Sequence, residues 1–145
     1  MPMPFAVFVI AHAWDDDCVF VAATTRDDGS IGLPGGKVDM GETPVEAAIR
    51  EAAEEGWLVK LNPTDTPVHT AMVDGKPVWW YAAAEKPSKL QAWKEMHRGI
   101  KPVWITESKA AQTGFGNGFI AELDFDLGTA FRSRGLSDNF DAYQA

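Results

Sequence analysis

A proline and two glycines, an acidic turn and a short capped helix crowded with glutamates occupy residues 34–59, and no other stretch restricts the fold so tightly. Thr43 stands where an N-cap belongs, Pro44 suits the first helical position, and Glu46, three residues after the cap, completes a capping box. The helix is therefore expected to start at Pro44 and run to about Glu55, with Gly56 as its stop. At about 100° per residue, Glu51, Glu54 and Glu55 share an arc roughly 100° wide, while Val45, Ile49 and Ala52 lie on the other side. One face builds a core and the other gathers negative charge. Like charges at this spacing repel by a few tenths of a kcal/mol per pair. An arbitrary helix would simply leave such a face in water.

The spacing upstream argues for more than a solvated face. Gly36, five residues, Glu42, seven residues, Arg50-Glu51, two residues, Glu54-Glu55 resembles the signature of the Nudix hydrolases. Each fixed position would match by background usage roughly once in fifteen, so six together are not a chance pattern. Residues 34–44 look particularly like the MutT-type members of that family. The resemblance has a flaw. Gly56 comes one position early, Trp57 occupies the family's glycine position, and Ala52 is small where a larger apolar residue is usual. The carboxylate spacing is untouched by these departures, which bear on how the helix ends and packs.

The resemblance implies an α/β/α sandwich with a mixed β-sheet between helices. It also implies a Mg²⁺ cofactor, or Mn²⁺ in its place, held by Glu51, Glu54 and Glu55. Glu51 is in addition a candidate base, and Arg50 is expected to orient the carboxylates. Gly35 and Gly36 would form the loop presenting them, and Lys37 would contact phosphate. Family members often use a glutamate from a loop before the last strand as metal ligand or base; Glu95 lies in that region and is the candidate, although a plain surface glutamate would look the same. Asn117, just before a final helix, matches an asparagine that reads the base in MutT-type enzymes. Its amide offers a donor and an acceptor to a purine edge, yet capping the following helix would use the same residue.

Length and composition set the outer limits. With 145 residues the chain is one domain's worth, able to bury about two thirds of its unfolded surface. Residues 1–133 are expected to form that domain and 134–145, which show no period, a loosely held tail. Net charge is −8, which argues against holding long nucleic acid by phosphate neutralisation but leaves a small phosphorylated substrate open. No apolar run approaches 18 residues, so no membrane partner is expected. The start, Met1-Pro2-Met3-Pro4, lacks the basic residues and cleavage site of a signal peptide, and Cys18 alone makes no internal disulfide. A cytoplasmic protein, monomeric or homodimeric, with Cys18 as a buried structural thiol is the expectation.

Elsewhere periodicity places the remaining elements. Residues 5–13 are almost continuously apolar, as in a strand buried on both faces, with His12 as a core or rim residue. An aspartate turn at 15–17 leads to a second strand over 18–25. A further strand is expected over 57–61, and a hairpin joins 68–73 to 78–84 through Asp74-Gly75-Lys76-Pro77. At least two of Trp79, Trp80 and Tyr81 should pack in the core. Residues 85–100 read as polar and irregular, 103–105 as a last short strand, 108–112 as a brief helix and 119–131 as the final helix.

The implied reaction is hydrolysis of a nucleoside diphosphate linked to another group. By elimination of other subfamily marks, a (d)NTP or modified nucleotide, cleaved to monophosphate and pyrophosphate, is the expected substrate. ADP-ribose or dinucleoside polyphosphates are the alternatives within the enzyme class, and a non-catalytic nucleotide-binding regulator is the alternative outside it. The intact carboxylates favour the enzyme.

Overall fold

The computed structural model describes residues 3–15 and 18–106. The turn at 16–17, the Cys18 side chain, Asn117, the helices expected over 108–112 and 119–131, and the tail at 134–145 lie outside the described residues.

The apolar run at 5–13 makes two strands rather than one, β1 (Ala6–Ile10) and β2 (His12–Asp15). Between them the partners change. β1 pairs with β5 (Gly35–Lys37) and β8 (Lys76–Ala82), whereas β2 pairs with β3 (Cys18–Thr25). The switch falls at Ala11, whose carbonyl accepts from Ala22 N–H at 2.8 Å while Ile10 O accepts from Ala83 N–H at 3.0 Å. A mixed sheet results, in the order β5-β1-β8-β7 with β7 at His69–Val73; only the β1–β8 pair is parallel. The second sheet is antiparallel, β10-β3-β2 with β4 (Ile31–Gly32) also on β3 and β10 at Lys101–Thr106.

Three local expectations need correction. Residues 35–37 pair with β1 as a strand, where a loop was expected, because glycines lack the side chains that mark a strand. The strand at 57–61 shrinks to β6 (Trp57–Leu58), paired with β9 (Ser88–Lys89) inside the stretch read as irregular. The hairpin turn is tighter than expected: Asp74 and Gly75 both take positive φ, 51° and 77°, as a two-residue turn of type I′ requires, and the strand resumes at Lys76.

The helix α1 (Pro44–Glu54) begins with the expected capping box, Thr43 Oγ1 accepting from Glu46 N–H at 3.1 Å and Glu46 Oε1 from Thr43 N–H at 2.9 Å. It lays Val45, Ala48 and Ala52 on a core shared with Val7, Val9, Phe20, Tyr81 and Trp104. Alternate residues, Phe8, Ile10, Val21, Trp80 and Ile105, form a second core on the opposite face. The mixed sheet and α1 are the α/β arrangement expected. His12, Trp80 and Tyr81 are buried and Trp79 partly so.

The departure at 56–57 has a packing explanation. Trp57 is fully buried, donates Nε1–H to Ala23 O at 2.8 Å, and meets Trp104 edge-to-face at 4.9 Å. Gly56, at φ 101°, turns the chain off the helix, and a Cβ there would stand 2.7 Å from the Pro102 ring. The glycine therefore comes one residue early so that an indole can enter the core behind it.

Candidate active site

The site grows from one guanidinium. Arg50, on the last turns of α1, donates Nε–H to Glu42 Oε2 at 2.6 Å and Nη2–H to Glu42 Oε1 at 3.0 Å, a fork-to-fork pair. Its Nη1–H groups reach Glu51 Oε1 at 3.0 Å and Glu54 Oε2 at 3.2 Å, and Nη2–H also reaches the Lys37 carbonyl at 3.0 Å. Asp39 adds a further carboxylate at 3.4 Å. The like charges on the helix face are thus gathered around a cation rather than dispersed in water. Arginine suits this because its five donors are fixed in a plane.

Backbone from β5 closes over the same carboxylates. Gly35 N–H donates to Glu55 Oε1 at 3.1 Å. A Cβ at Gly36 would lie 2.6 Å from Cδ and Oε2 of Glu51, so only glycine lets the strand press this closely. β5 is held there by its antiparallel register with β1, Val7 opposite Gly36 and Phe8 opposite Gly35.

Beside Glu55 opens a cleft of about 620 Å³. Gly35, Gly36, Glu55 and Glu95 line it together with three cations, Lys37, Arg26 and Arg98, and with Phe8 and Ile100 as apolar wall. Glu95 arrives on the loop at 90–100, whose backbone is tied to the end of α1: Glu95 N–H donates to Glu54 O at 3.0 Å and Leu90 N–H to Gly56 O at 2.8 Å. Trp93 Nε1–H closes the loop on Ile100 O at 2.7 Å.

The carboxylates differ electrostatically. Bonding to Arg50 holds Glu42 below its usual range. Burial pushes Glu51 up, against the pull of Arg50. Burial also pushes Glu55 up to about 8; the Gly35 N–H opposes this, and the nearby Glu51 and Glu95 charges reinforce it.

The predicted residues therefore fall into three groups. Arg50, Glu51 and Glu54 form the hub, with Lys94 Nζ also 3.6 Å from Glu54. Gly35, Gly36, Lys37, Glu55 and Glu95 meet at the cleft. Asn117 lies outside the described residues. As the side chains stand, no three of the His, Cys, Asp or Glu groups among the described residues converge as a ready metal cage. The donor set nonetheless fits an oxygen-seeking divalent ion, which would relieve the crowding of Glu51, Glu55 and Glu95 that burial makes costly. Sequence reasoning missed the anchoring role of Glu42, although its fixed distance from Arg50 was the signal, and missed Arg26 and Arg98, which no pattern marks.

The sequence matches the family described as NUDIX domain over residues 3–120. No curated protein matches it. A NUDIX-family hydrolase from Clostridium perfringens superposes with a TM-score of 0.55 at 20% identity, covering 93% of this chain and 98% of that one. An Ap4A hydrolase from C. elegans, as a binary complex, gives 0.56 at 22% identity, with 90% and 95% covered. The NUDIX domain of Shewanella oneidensis NrtR, crystallised with ADP ribose, gives 0.55 at 14% identity, with 84% of each chain covered. Of the longer NrtR chain in its structure with a 27mer DNA, this chain spans 58%. At such identities the structural likenesses establish the fold. The sequence match extends over most of the chain and takes in the whole carboxylate hub, and on that ground the chain belongs to the Nudix hydrolase family.

Proposed function

We propose that this Nudix hydrolase is a Mg²⁺-dependent pyrophosphohydrolase that cleaves a nucleoside diphosphate linked to another group, with a (d)NTP or modified nucleotide as substrate and monophosphate and pyrophosphate as products. The observation that carries the reading is the Arg50 hub, which holds Glu51 and Glu54, together with the cleft lined by Glu55, Glu95, Lys37, Arg26 and Arg98. A phosphate chain can lie among these cations while carboxylates face its bridging bond.

Glu51, Glu54 and Glu55 would hold the ion, Mg²⁺ or Mn²⁺, and Glu95 would add a carboxylate from the 90–100 loop. When bound, the ion neutralises the diphosphate and lowers the pKa of an attacking water. Arg50 engages Oε1 of Glu51, and Oε2 would be the atom of Glu51 to take the proton of an attacking water. Lys37 contacts phosphate, and Asn117 reads the base.

A screen of pyrophosphate and phosphate release in millimolar Mg²⁺ tests this across nucleoside triphosphates, ADP-ribose and dinucleoside polyphosphates. The last two are included because fold neighbours were crystallised as an Ap4A hydrolase and with ADP ribose. Turnover of triphosphates to monophosphate and pyrophosphate is expected. Binding of nucleotides with no turnover of any would make the chain a nucleotide-binding module instead.

A further inference from the structure

Arg98 and Glu95 stand at the two ends of a single 3₁₀ turn, Met96–Arg98, and both line the cleft with Glu55. Arg98 Nη1 lies 3.3 Å from Glu95 Oε2, and the side chains are 64% and 20% exposed. This is a single-contact pair whose guanidinium stands in water, a kind that holds weakly. Two parallel bonds from the same guanidinium to phosphate oxygens are stronger and better directed. A phosphate entering the cleft would compete with the carboxylate for Arg98.

The other cleft cations have different commitments. Arg26 donates to Ser30 Oγ at 3.3 Å, and Lys37 Nζ lies 5.4 Å from the Phe5 ring centre. Among the described residues, the one partner shown for the Arg98 guanidinium is the acid beside it. The backbone beneath the pair is already fixed: Glu95 N–H bonds Glu54 O, Arg98 N–H bonds Glu95 O at 3.0 Å, and Gly99 N–H bonds Met96 O at 3.1 Å. An exchange of partners needs only side-chain rotation. Glu95 also bears on Glu51 and Glu55 as a like charge, so a cation parked on it eases the substrate-free site.

We propose that Arg98 is a phosphate-sensing residue: in the substrate-free protein it occupies Glu95, and the substrate's phosphate draws it away, releasing that carboxylate to the metal. This rests on the reading of the site given under Proposed function. It makes substrate and metal arrive as a coupled pair, because the phosphate that brings the ion also unmasks a ligand for it.

The test is calorimetric titration of the full chain with Mn²⁺ alone and with magnesium pyrophosphate, comparing wild type with Arg98→Ala, Arg98→Lys, Glu95→Gln, Glu55→Gln and the Glu95→Gln/Arg98→Ala double variant. Arg98→Ala should bind Mn²⁺ roughly two- to fivefold more tightly, the worth of an exposed ion pair. It should bind magnesium pyrophosphate roughly tenfold or more weakly. Arg98→Lys should fall between, and the gain in Mn²⁺ affinity should vanish in the double variant. A structural pair on a loop would not move the two affinities in opposite directions. Unchanged or weaker Mn²⁺ binding in Arg98→Ala, with wild-type binding intact and lost in Glu55→Gln, overturns the exchange and leaves the site reading standing. A wild type that binds neither Mn²⁺ nor magnesium pyrophosphate overturns both.

Discussion

Arg50 grips both oxygens of Glu42, at 2.6 and 3.0 Å, and this pair is the anchor from which the same guanidinium reaches Glu51 and Glu54. Glu42 sits in the turn before α1, eight positions upstream of Arg50, so it ties the loop to the helix and sets the angle of the guanidinium plane. Loss of that carboxylate charge should weaken the fork that sets the guanidinium plane, while the bonds to Glu51, Glu54 and Lys37 O persist. Glu42→Gln is expected to lower kcat by roughly 10- to 100-fold, the usual cost of removing an outer partner of a metal-site ligand. Arg50→Lys should do at least as much, since a point charge cannot fork. Steady-state kinetics beside thermal melts separate this from unfolding; unchanged kcat in both variants contradicts the hub.

Gly36→Ala should disable the site from the strand side. Its Cβ would stand 2.6 Å from the Glu51 carboxylate, so either β5 or Glu51 must move. Overpacking of this kind costs about 1–3 kcal/mol, and the displaced carboxylate should lower turnover further. Urea unfolding and kcat measured together check both effects.

Trp57 should be a stability residue with no direct part in chemistry. Trp57→Ala removes a fully buried indole and leaves Ala23 O without its donor, at about 3–5 kcal/mol. Gly56→Ala should also destabilise, through its φ of 101° and its approach to Pro102. Restoring the family's order by placing glycine at 57 would open a cavity, and chemical denaturation should show it.

The pH dependence follows from Glu55 and Glu51. Both fold with carboxyls held above their ordinary range, Glu55 at about 8. Below about 4.5 the native and unfolded forms are both protonated, so the folded carboxyl costs nothing there. Between that value and about 8 the native state binds more protons than the unfolded state, so stability falls as pH rises, and it levels off above. Metal-free protein in EDTA should therefore lose Tm steadily from pH 5 to 8. Millimolar Mg²⁺ should raise Tm most at the upper end, where its ligands are deprotonated. A Tm that ignores both pH and Mg²⁺ contradicts this.

What the sequence disclosed was governed by how local the cause was. The capping box needs only Thr43 and Glu46 and the hairpin only Asp74-Gly75, so both were legible, and helical spacing gave the shared arc of Glu51, Glu54 and Glu55; the part of Arg50 among them came from the resemblance. The sheet switch at Ala11 was not, because residues on either side are equally buried, His12 included. Nor was β5, whose glycines carry no strand pattern, or β9, whose two exposed residues pair with β6 across a long stretch of chain. Arg98 was hidden for a similar reason. It comes from a polar stretch and reaches the cleft through the backbone bond from Glu95 to Glu54, a contact no residue type encodes.

The central claim, that the glutamates of α1 hold the metal for hydrolysis, is tested most directly by Glu54→Gln and Glu55→Gln. Each keeps the side-chain shape and removes one carboxylate charge. Mg²⁺-dependent release of pyrophosphate from nucleoside triphosphates should fall nearly to zero in both while the melting transition persists. In Glu55→Gln, which loses a desolvated carboxyl, that transition should stand level or rise near pH 8 without metal. Full activity in both variants would contradict the account.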